Sequence, residues 1–269
     1  MSNRIDTAFE KLRSEGGTAL IPFLTVGDPD IATTLDIIEA LEQAGADMVE
    51  LGVPYSDPLA DGPVIQRASE RALKHRITIE DVIHLAGDAR DRGIQLPFIL
   101  FTYYNPVLQY GLEKFFSLIV DKGISGLIIP DLPIEEDEEV RAMAEQANIH
   151  LIPLVAPTSN DRIKRISGKA KGFVYCVSSL GVTGVRADFH KGIDDFLQTV
   201  RESTTLPIGV GFGISSRDQV ERFSKQADGV IVGSAIVRKI EEVLPLLANA
   251  ETKAEGLEQI RTFVSNLKL

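Results

Sequence analysis

Eight short runs rich in Val, Ile and Leu recur along the chain, and longer amphipathic segments separate them. The runs cover residues 19–24, 48–51, 98–101, 126–129, 150–155, 173–177, 208–210 and 229–232. Runs of this length that are apolar on both faces read as strands covered on both sides. Between the first two, Ile31, Leu35, Ile38 and Leu41 recur at spacings of four and three, which places them on one helix face, with Asp30 as the expected N-cap. Residues 135–146, 194–201, 217–225 and 234–247 read as helices in the same way. Strands alternating with helices imply a parallel sheet, and eight such units in 269 residues predict an α/β fold closed into a single (β/α)8 TIM barrel. Extra helices are expected at the N-terminus (4–14), after the second strand (64–75 and 79–92) and at the C-terminus (256–267). No internal repeat or low-complexity segment interrupts the pattern. The polar stretch 249–255 is too short to separate anything independent, so residues 1–269 are expected to form one domain.

Charge and side-chain inventory narrow the function. Against 28 Lys and Arg stand 39 Asp and Glu, a net charge of −11 that disfavours a nucleic-acid partner. A phosphorylated small molecule stays compatible, because helix N-terminal amides hold phosphate without lysines. Cys176 is the only cysteine, which excludes an intrachain disulfide and any C-x-x-C metal site. His75, His84, His150 and His190 are scattered and form no ligand pair, so no metal is expected. No apolar run approaches the roughly 20 residues of a membrane span, and the charged N-terminus has no signal-peptide core. The expected location is the cytoplasm.

In a barrel, chemistry belongs to the loops after the strand C-termini. Glu50 stands there within the second apolar run. Strand alternation puts Val49 and Leu51 on one face and Met48, Glu50 and Gly52 on the other, so Glu50 projects into the barrel mouth unless it merely marks the strand's wet end. Desolvation there raises a carboxyl pKa toward values useful for proton transfer. Asp61 follows on a loop stiffened by Pro54, Pro58 and Pro63. It reads either as the cap of the helix at 64–75 or as a rigidly delivered second carboxylate. Glycine-rich turns at 178–184, 211–214 and 232–235 follow the last three strands, where barrels build phosphate sites. The long segment 180–189 reads as a candidate lid or as an ordinary surface loop. Phe23, Leu100, Leu127, Tyr175 and Phe212 are candidates for an apolar pocket or for plain core, and Cys176 for a small buried hydrophobe.

With these residues in hand, the chain resembles the tryptophan synthase alpha subunit family. ELGVPYSDPLADGPVIQ (50–66) is similar to the family's signature segment almost position for position, with Tyr55 where phenylalanine is common. PFLTVGDPD, FTYYNPV, PDLP, GVTG, GFGI and VGSAI follow in the family's order. The resemblance implies a lyase of tryptophan biosynthesis that cleaves indole-3-glycerol phosphate reversibly, by a retro-aldol step, to indole and glyceraldehyde 3-phosphate. It implies that Glu50 protonates indole C3 and takes the glycerol hydroxyl proton, and that Asp61 engages the indole N–H. It implies that Gly184, Gly213, Gly233 and Ser234 receive the phosphate, that Phe23, Leu100, Tyr175 and Phe212 surround the ring, and that Thr183 closes toward Asp61. No cofactor is implied for this subunit. The implied partner is the beta subunit of an alpha2-beta2 complex, met by Asp57, Pro58 and Asn105. Two rivals use the same residues or fewer: a free-standing indole-3-glycerol phosphate lyase, and a catalytically silent phosphate-binding regulatory barrel. A Schiff-base aldolase is disfavoured, since no lysine stands at a strand C-terminus.

Overall fold

The computed structural model describes residues 2–177 and 192–269. Its strands are β1 (Ala19–Thr25), β2 (Val49–Gly52), β3 (Phe98–Phe101), β4 (Ile124–Ile128), β5 (His150–Leu151), β6 (Leu154–Val155), β7 (Val174–Val177), β8 (Ile208–Gly211) and β9 (Gly229–Val232). They form one sheet in the order β5-β4-β3-β2-β1-β9-β8-β7-β6, parallel throughout. The two ends of that order, β5 and β6, are neighbours in sequence. They are the two halves of the fifth strand read from sequence, interrupted at Pro153, whose nitrogen has no hydrogen to donate. The Ile152 N–H donates to the Leu127 carbonyl at 2.9 Å and the Pro153 carbonyl accepts from Tyr175 N–H at 3.1 Å. The broken strand thus hands the sheet from β4 to β7 and closes an eight-stranded barrel, in agreement with the sequence reading.

Alternation along the strands sorts the core into two layers. Ala19, Ile21, Met48, Ile99, Ile128, Ile152, Phe173, Tyr175 and Ile231 pack together inside the barrel. Leu20, Leu24, Val49, Leu51, Phe98, Leu100 and Leu127 belong to the outer layer between sheet and helices. Helix α1 (Arg4–Glu15) stoppers the barrel at the strands' N-terminal ends, where Ile5, Phe9 and Leu12 join the inner layer. Its cap residue Asn3 accepts from Ile5 N–H, while its Nδ2 donates to the Ser125 and Asn148 carbonyls at 2.9 and 2.8 Å. With that end sealed, ligands enter from the opposite mouth.

The outer helices are α2 (Ile31–Gln43), α3 (Pro63–Lys74), α4 (Ile79–Asp91), α5 (Tyr104–Tyr110), α6 (Leu112–Asp121), α7 (Glu138–Gln146), α8 (Asn160–Ser167), α9 (Ile193–Ser203), α10 (Arg217–Ser224), α11 (Ser234–Leu247) and α12 (Lys253–Ser265). Asp30 caps α2 as expected, its carboxylate accepting from Thr33 N–H at 2.7 Å. Three helices, α5, α6 and α8, add to those read from sequence. Pro106 signals a break but lies in the first turn of α5, where proline is tolerated, and Gly111 at φ +91° separates α5 from α6. Ser159 caps α8. The helix expected from residue 135 starts at Glu138, after a turn at 133–136 closed by the Glu136 N–H on the Pro133 carbonyl. Among the described residues, no helix is long and apolar enough to cross a membrane.

Candidate active site

Glu50 owes its setting to strand register. It lies opposite Phe23 of β1 and Ile99 of β3, on the inward face of β2. Only 1% of it is exposed, and neither carboxyl oxygen has a hydrogen-bond partner among the described residues. An unpaired buried carboxylate is costly, so burial pushes the Glu50 pKa well above the ordinary range and favours its protonated form. Tyr175, inward on β7, has its phenol raised by burial and by the nearness of Glu50. Glycines make room for these side chains. A Cβ at Gly211 would stand 2.6 Å from the Tyr175 hydroxyl, and one at Gly52 would stand 2.5 Å from the Phe23 ring.

Asp61 arrives on the loop between β2 and α3. Gly62 is the N-cap of α3 and Pro63 its first residue, so the cap position itself is not Asp61's. The carboxyl is 7% exposed and shares a hydrogen bond with the Tyr103 hydroxyl, which also accepts the Ala60 N–H at 3.0 Å. The Tyr103 ring stacks on Tyr55, centroids 4.9 Å apart, and Gln66 Nε2 donates to the Asp61 carbonyl at 2.7 Å. Burial raises the Asp61 pKa to about 6, and the Tyr103 bond restrains the rise. At neutral pH Asp61 is therefore mostly anionic, whereas burial alone, with no partner among the described residues, acts on Glu50 and favours its protonated form.

A third element closes the constellation. Gly233 caps α11 without a side-chain bond, and the helix's own ladder starts with Ile236 and Val237 N–H, both donating to the Gly233 carbonyl. The first amides of α11, around the buried Ser234, are a candidate anion site, since a helix start leaves them without intrahelical partners. A Cβ at Gly233 would lie 3.6 Å from Phe23, so this site borders the aromatic wall. Gly213 follows β8 at φ +74°, a conformation that favours glycine.

Register corrects part of the expected pocket. Leu100 and Leu127 lie in the outer layer against the helices. Their successors Phe101 and Ile128 face inward, because the sheet aligns Thr25, Gly52, Phe101 and Ile128 in one row. Phe101 meets Phe23 edge to face at 5.5 Å. Phe212 also belongs to the outer layer, where it packs edge to face on Phe223 at 5.2 Å. The missed residues were within reach of counting by twos from Glu50. Tyr103 was missed because no strand periodicity points to it. Cys176 is buried in the outer layer with its thiol pushed up to about 12 by burial, so it is no nucleophile at neutral pH. Thr183, Gly184, the 178–184 turn and the whole of the candidate lid at 180–189 lie outside the described residues.

Among the described residues, no group of three or more His, Cys, Asp or Glu side chains could hold a metal ion. Asp57 and Asn105 are exposed and Pro58 half-buried beside the mouth, next to Leu59 at 77% and Leu108 at 53% exposure. A separate cavity of about 450 Å³ lies between the loop after β4, the broken fifth strand and α8. On its rim Arg141 pairs with Asp137 and Arg162 with Glu135.

The family described as "Tryptophan synthase alpha chain" matches residues 9–269. A tryptophan synthase alpha chain of Halalkalibacterium halodurans is 52% identical, over 92% of this chain and 93% of that one. One from a Thermoanaerobacter strain is 49% identical over 99% and 98%. The solved structure of Mycobacterium tuberculosis tryptophan synthase superposes with a TM-score of 0.88 at 34% identity, covering 99% of this chain and 97% of that one. Barrel closure, the inward glutamate and the loop-borne aspartate thus sit within a likeness that runs nearly the full length, and the chain belongs to the tryptophan synthase alpha chain family.

Proposed function

We propose that this chain cleaves indole-3-glycerol phosphate to indole and glyceraldehyde 3-phosphate, with Glu50 and Asp61 as its acid/base pair. Family membership carries the reaction. The different settings of the two carboxyls support the assignment of roles: Glu50 is buried without a partner among the described residues, which favours its protonated form, while Asp61, with its pKa at about 6, is mostly anionic at neutral pH. Cleavage needs indole C3 turned into a leaving group. Glu50 gives its proton to C3, and the positive charge that spreads to the ring nitrogen is balanced by Asp61 at the N–H. The Glu50 carboxylate then takes the proton of the hydroxyl on the neighbouring carbon. The C–C bond breaks, its electrons return to the ring, and the carbon left behind becomes an aldehyde. One proton has moved from oxygen to carbon, and Glu50 is protonated again. Phe23, Phe101 and Tyr175 wall the ring, while the start of α11 at Gly233 and Ser234, with Gly213, receives the phosphate. Gly184 and Thr183 keep in this reading the roles that the family resemblance implies for them.

The partner is the tryptophan synthase beta subunit. Asp57, Pro58 and Asn105 form its contact in this reading, and the exposed Leu59 and Leu108 beside them support it. The chain acts as one domain, and it acts in the cytoplasm, a location to which its lone buried free thiol is suited. Indole release by the purified chain, with and without beta subunit and beside Glu50→Gln and Asp61→Asn, tests the proposal. Stimulation by the partner, with both variants slowed by orders of magnitude, is expected. Unimpaired variants would remove the carboxylate pair from the mechanism, and indifference to the partner would favour a free-standing lyase.

A further inference from the structure

Helices α3 and α11 pack together, and each ends at a different part of the site. Asp61 precedes α3 and is tied to it by Gln66, while Gly233 and Ser234 open α11. Near the mouth the two helices share an apolar contact of Val64, Ile65 and Ala68 with Val237, under Phe23. One to two turns farther along, the contact becomes ionic. Arg71 Nη1 donates to Glu241 Oε1 at 2.8 Å, and its Nε and Nη2 donate to Asp28 Oδ1 and Oδ2 at 2.7 and 2.8 Å. Arg67 also grips Glu241, by two bonds at 2.8 and 2.7 Å. Arg67 is half exposed and Glu241 a quarter exposed, so that pair contributes little by itself. Asp28, on the loop after β1, is buried, and among the described residues Arg71 is the one side chain paired with both acids. A planar guanidinium held at both edges fixes orientation as well as distance, which a lysine cannot do.

We propose that Arg71, clamped between Asp28 and Glu241, is a positioning residue that sets the separation between Asp61 and the first amides of α11, and so makes the site select the length of a ligand carrying an aromatic ring at one end and a phosphate at the other. The inference rests on the assignment of ring and phosphate ends under Proposed function. A ligand that must satisfy both ends gains from their fixed spacing, whereas a fragment that touches one end gains nothing from it. Loosening Arg71 therefore weakens the joined ligand selectively.

Calorimetry on the full chain tests this with three probes: an uncleavable indole-alkyl phosphate of substrate length, indole alone, and glycerol 3-phosphate alone. Arg71→Lys, Arg71→Met and Glu241→Gln are compared with wild type, and Arg67→Gln is the surface control. The expected result is a roughly tenfold loss for the joined ligand in the Arg71 variants, with each fragment within about twofold of wild type. A probe one methylene longer should lose less than the substrate-length one. Equal weakening of all three probes would make Arg71 a general stabiliser and overturn the proposal, as would an unchanged joined ligand. Should Arg71→Met fail to fold, Arg71→Lys and Glu241→Gln still decide. Asp61→Asn in the wild-type background checks the underlying site separately. If it leaves indole binding untouched, or if wild type holds the joined ligand no better than its fragments, the assignment of ends fails and the proposal falls with it.

Discussion

Asp61 offers a quantitative test, because one burial event fixes both a rate limb and a stability cost. Its pKa is raised from an ordinary 3.8 to about 6, chiefly by desolvation. Catalysis needs the anion. With a pKa near 6, about nine-tenths of Asp61 is ionised at pH 7 and about one-tenth at pH 5, so kcat/KM should fall roughly tenfold between them and tenfold per unit below. The same shift works against folding. The folded state holds this proton more tightly than the unfolded chain, so between pH 3.8 and about 6 stability falls as pH rises, and above about 6 the whole penalty is present. A shift of about two units corresponds to about 3 kcal/mol, an upper figure because the unfolded chain is not fully solvated. Asp61→Asn should therefore abolish the acid limb, slow indole formation by orders of magnitude, and raise stability at pH 8 by up to about 3 kcal/mol. Indole release from pH 4.5 to 8 and urea melts at pH 5 and pH 8 measure all three. An acid limb near pH 4 would refute the desolvation argument, and a limb that persists in Asp61→Asn would belong to another group.

Glu50→Gln keeps the shape and removes the proton, so kcat should fall by about 10² to 10⁴ with the melting temperature unchanged or higher, read by indole release and thermal unfolding. Leu100 and Phe101 separate the two layers. Leu100→Ala should cost about 2–5 kcal/mol of stability while kcat/KM of the folded enzyme holds. Phe101→Ala should raise KM for indole-3-glycerol phosphate several-fold. Leu59→Glu, at the most exposed large apolar side chain among the described residues, should weaken association with the beta subunit in sedimentation while leaving the isolated chain's unfolding unchanged.

The barrel could be read from sequence because its determinant is repetitive: apolar runs of strand length spaced by helix-length segments. The inward turn of Glu50 followed from the same arithmetic, since alternation is independent of tertiary detail. Where that arithmetic was not carried to neighbouring strands it failed, as at Leu100 and Leu127, one position short of the inward row. Pro153 illustrates another limit. Sequence shows a proline in a strand, but only pairing shows that the strand changes neighbours there. The Tyr103–Asp61 contact and the Asp28–Arg71–Glu241 chain join segments about 40 to 170 residues apart and leave no periodic trace. Such polar contacts are chosen by packed geometry, not by local propensity.

One question in the sequence is why the second carboxylate comes on a proline-stiffened loop when β2 could have supplied it two residues from the first. Two acids at i and i+2 of one strand share a face about 7 Å apart, in the same apolar surroundings. They would be desolvated alike, and the charge on one would oppose ionisation of the other. Neither would then be reliably anionic at neutral pH. Delivery from the loop breaks that symmetry. Glu50 stays on the inner wall with no donor among the described residues to stabilise its charge, so its proton is held more tightly than an ordinary carboxyl's. Asp61 enters from the α3 side, where the Tyr103 hydroxyl meets it and restrains its rise. The Tyr103 ring is itself pinned by stacking on Tyr55 and by the Ala60 amide, both from the same loop. The stiffness of that loop thus serves the titration order of the pair: it keeps one donor within reach of one acid and away from the other.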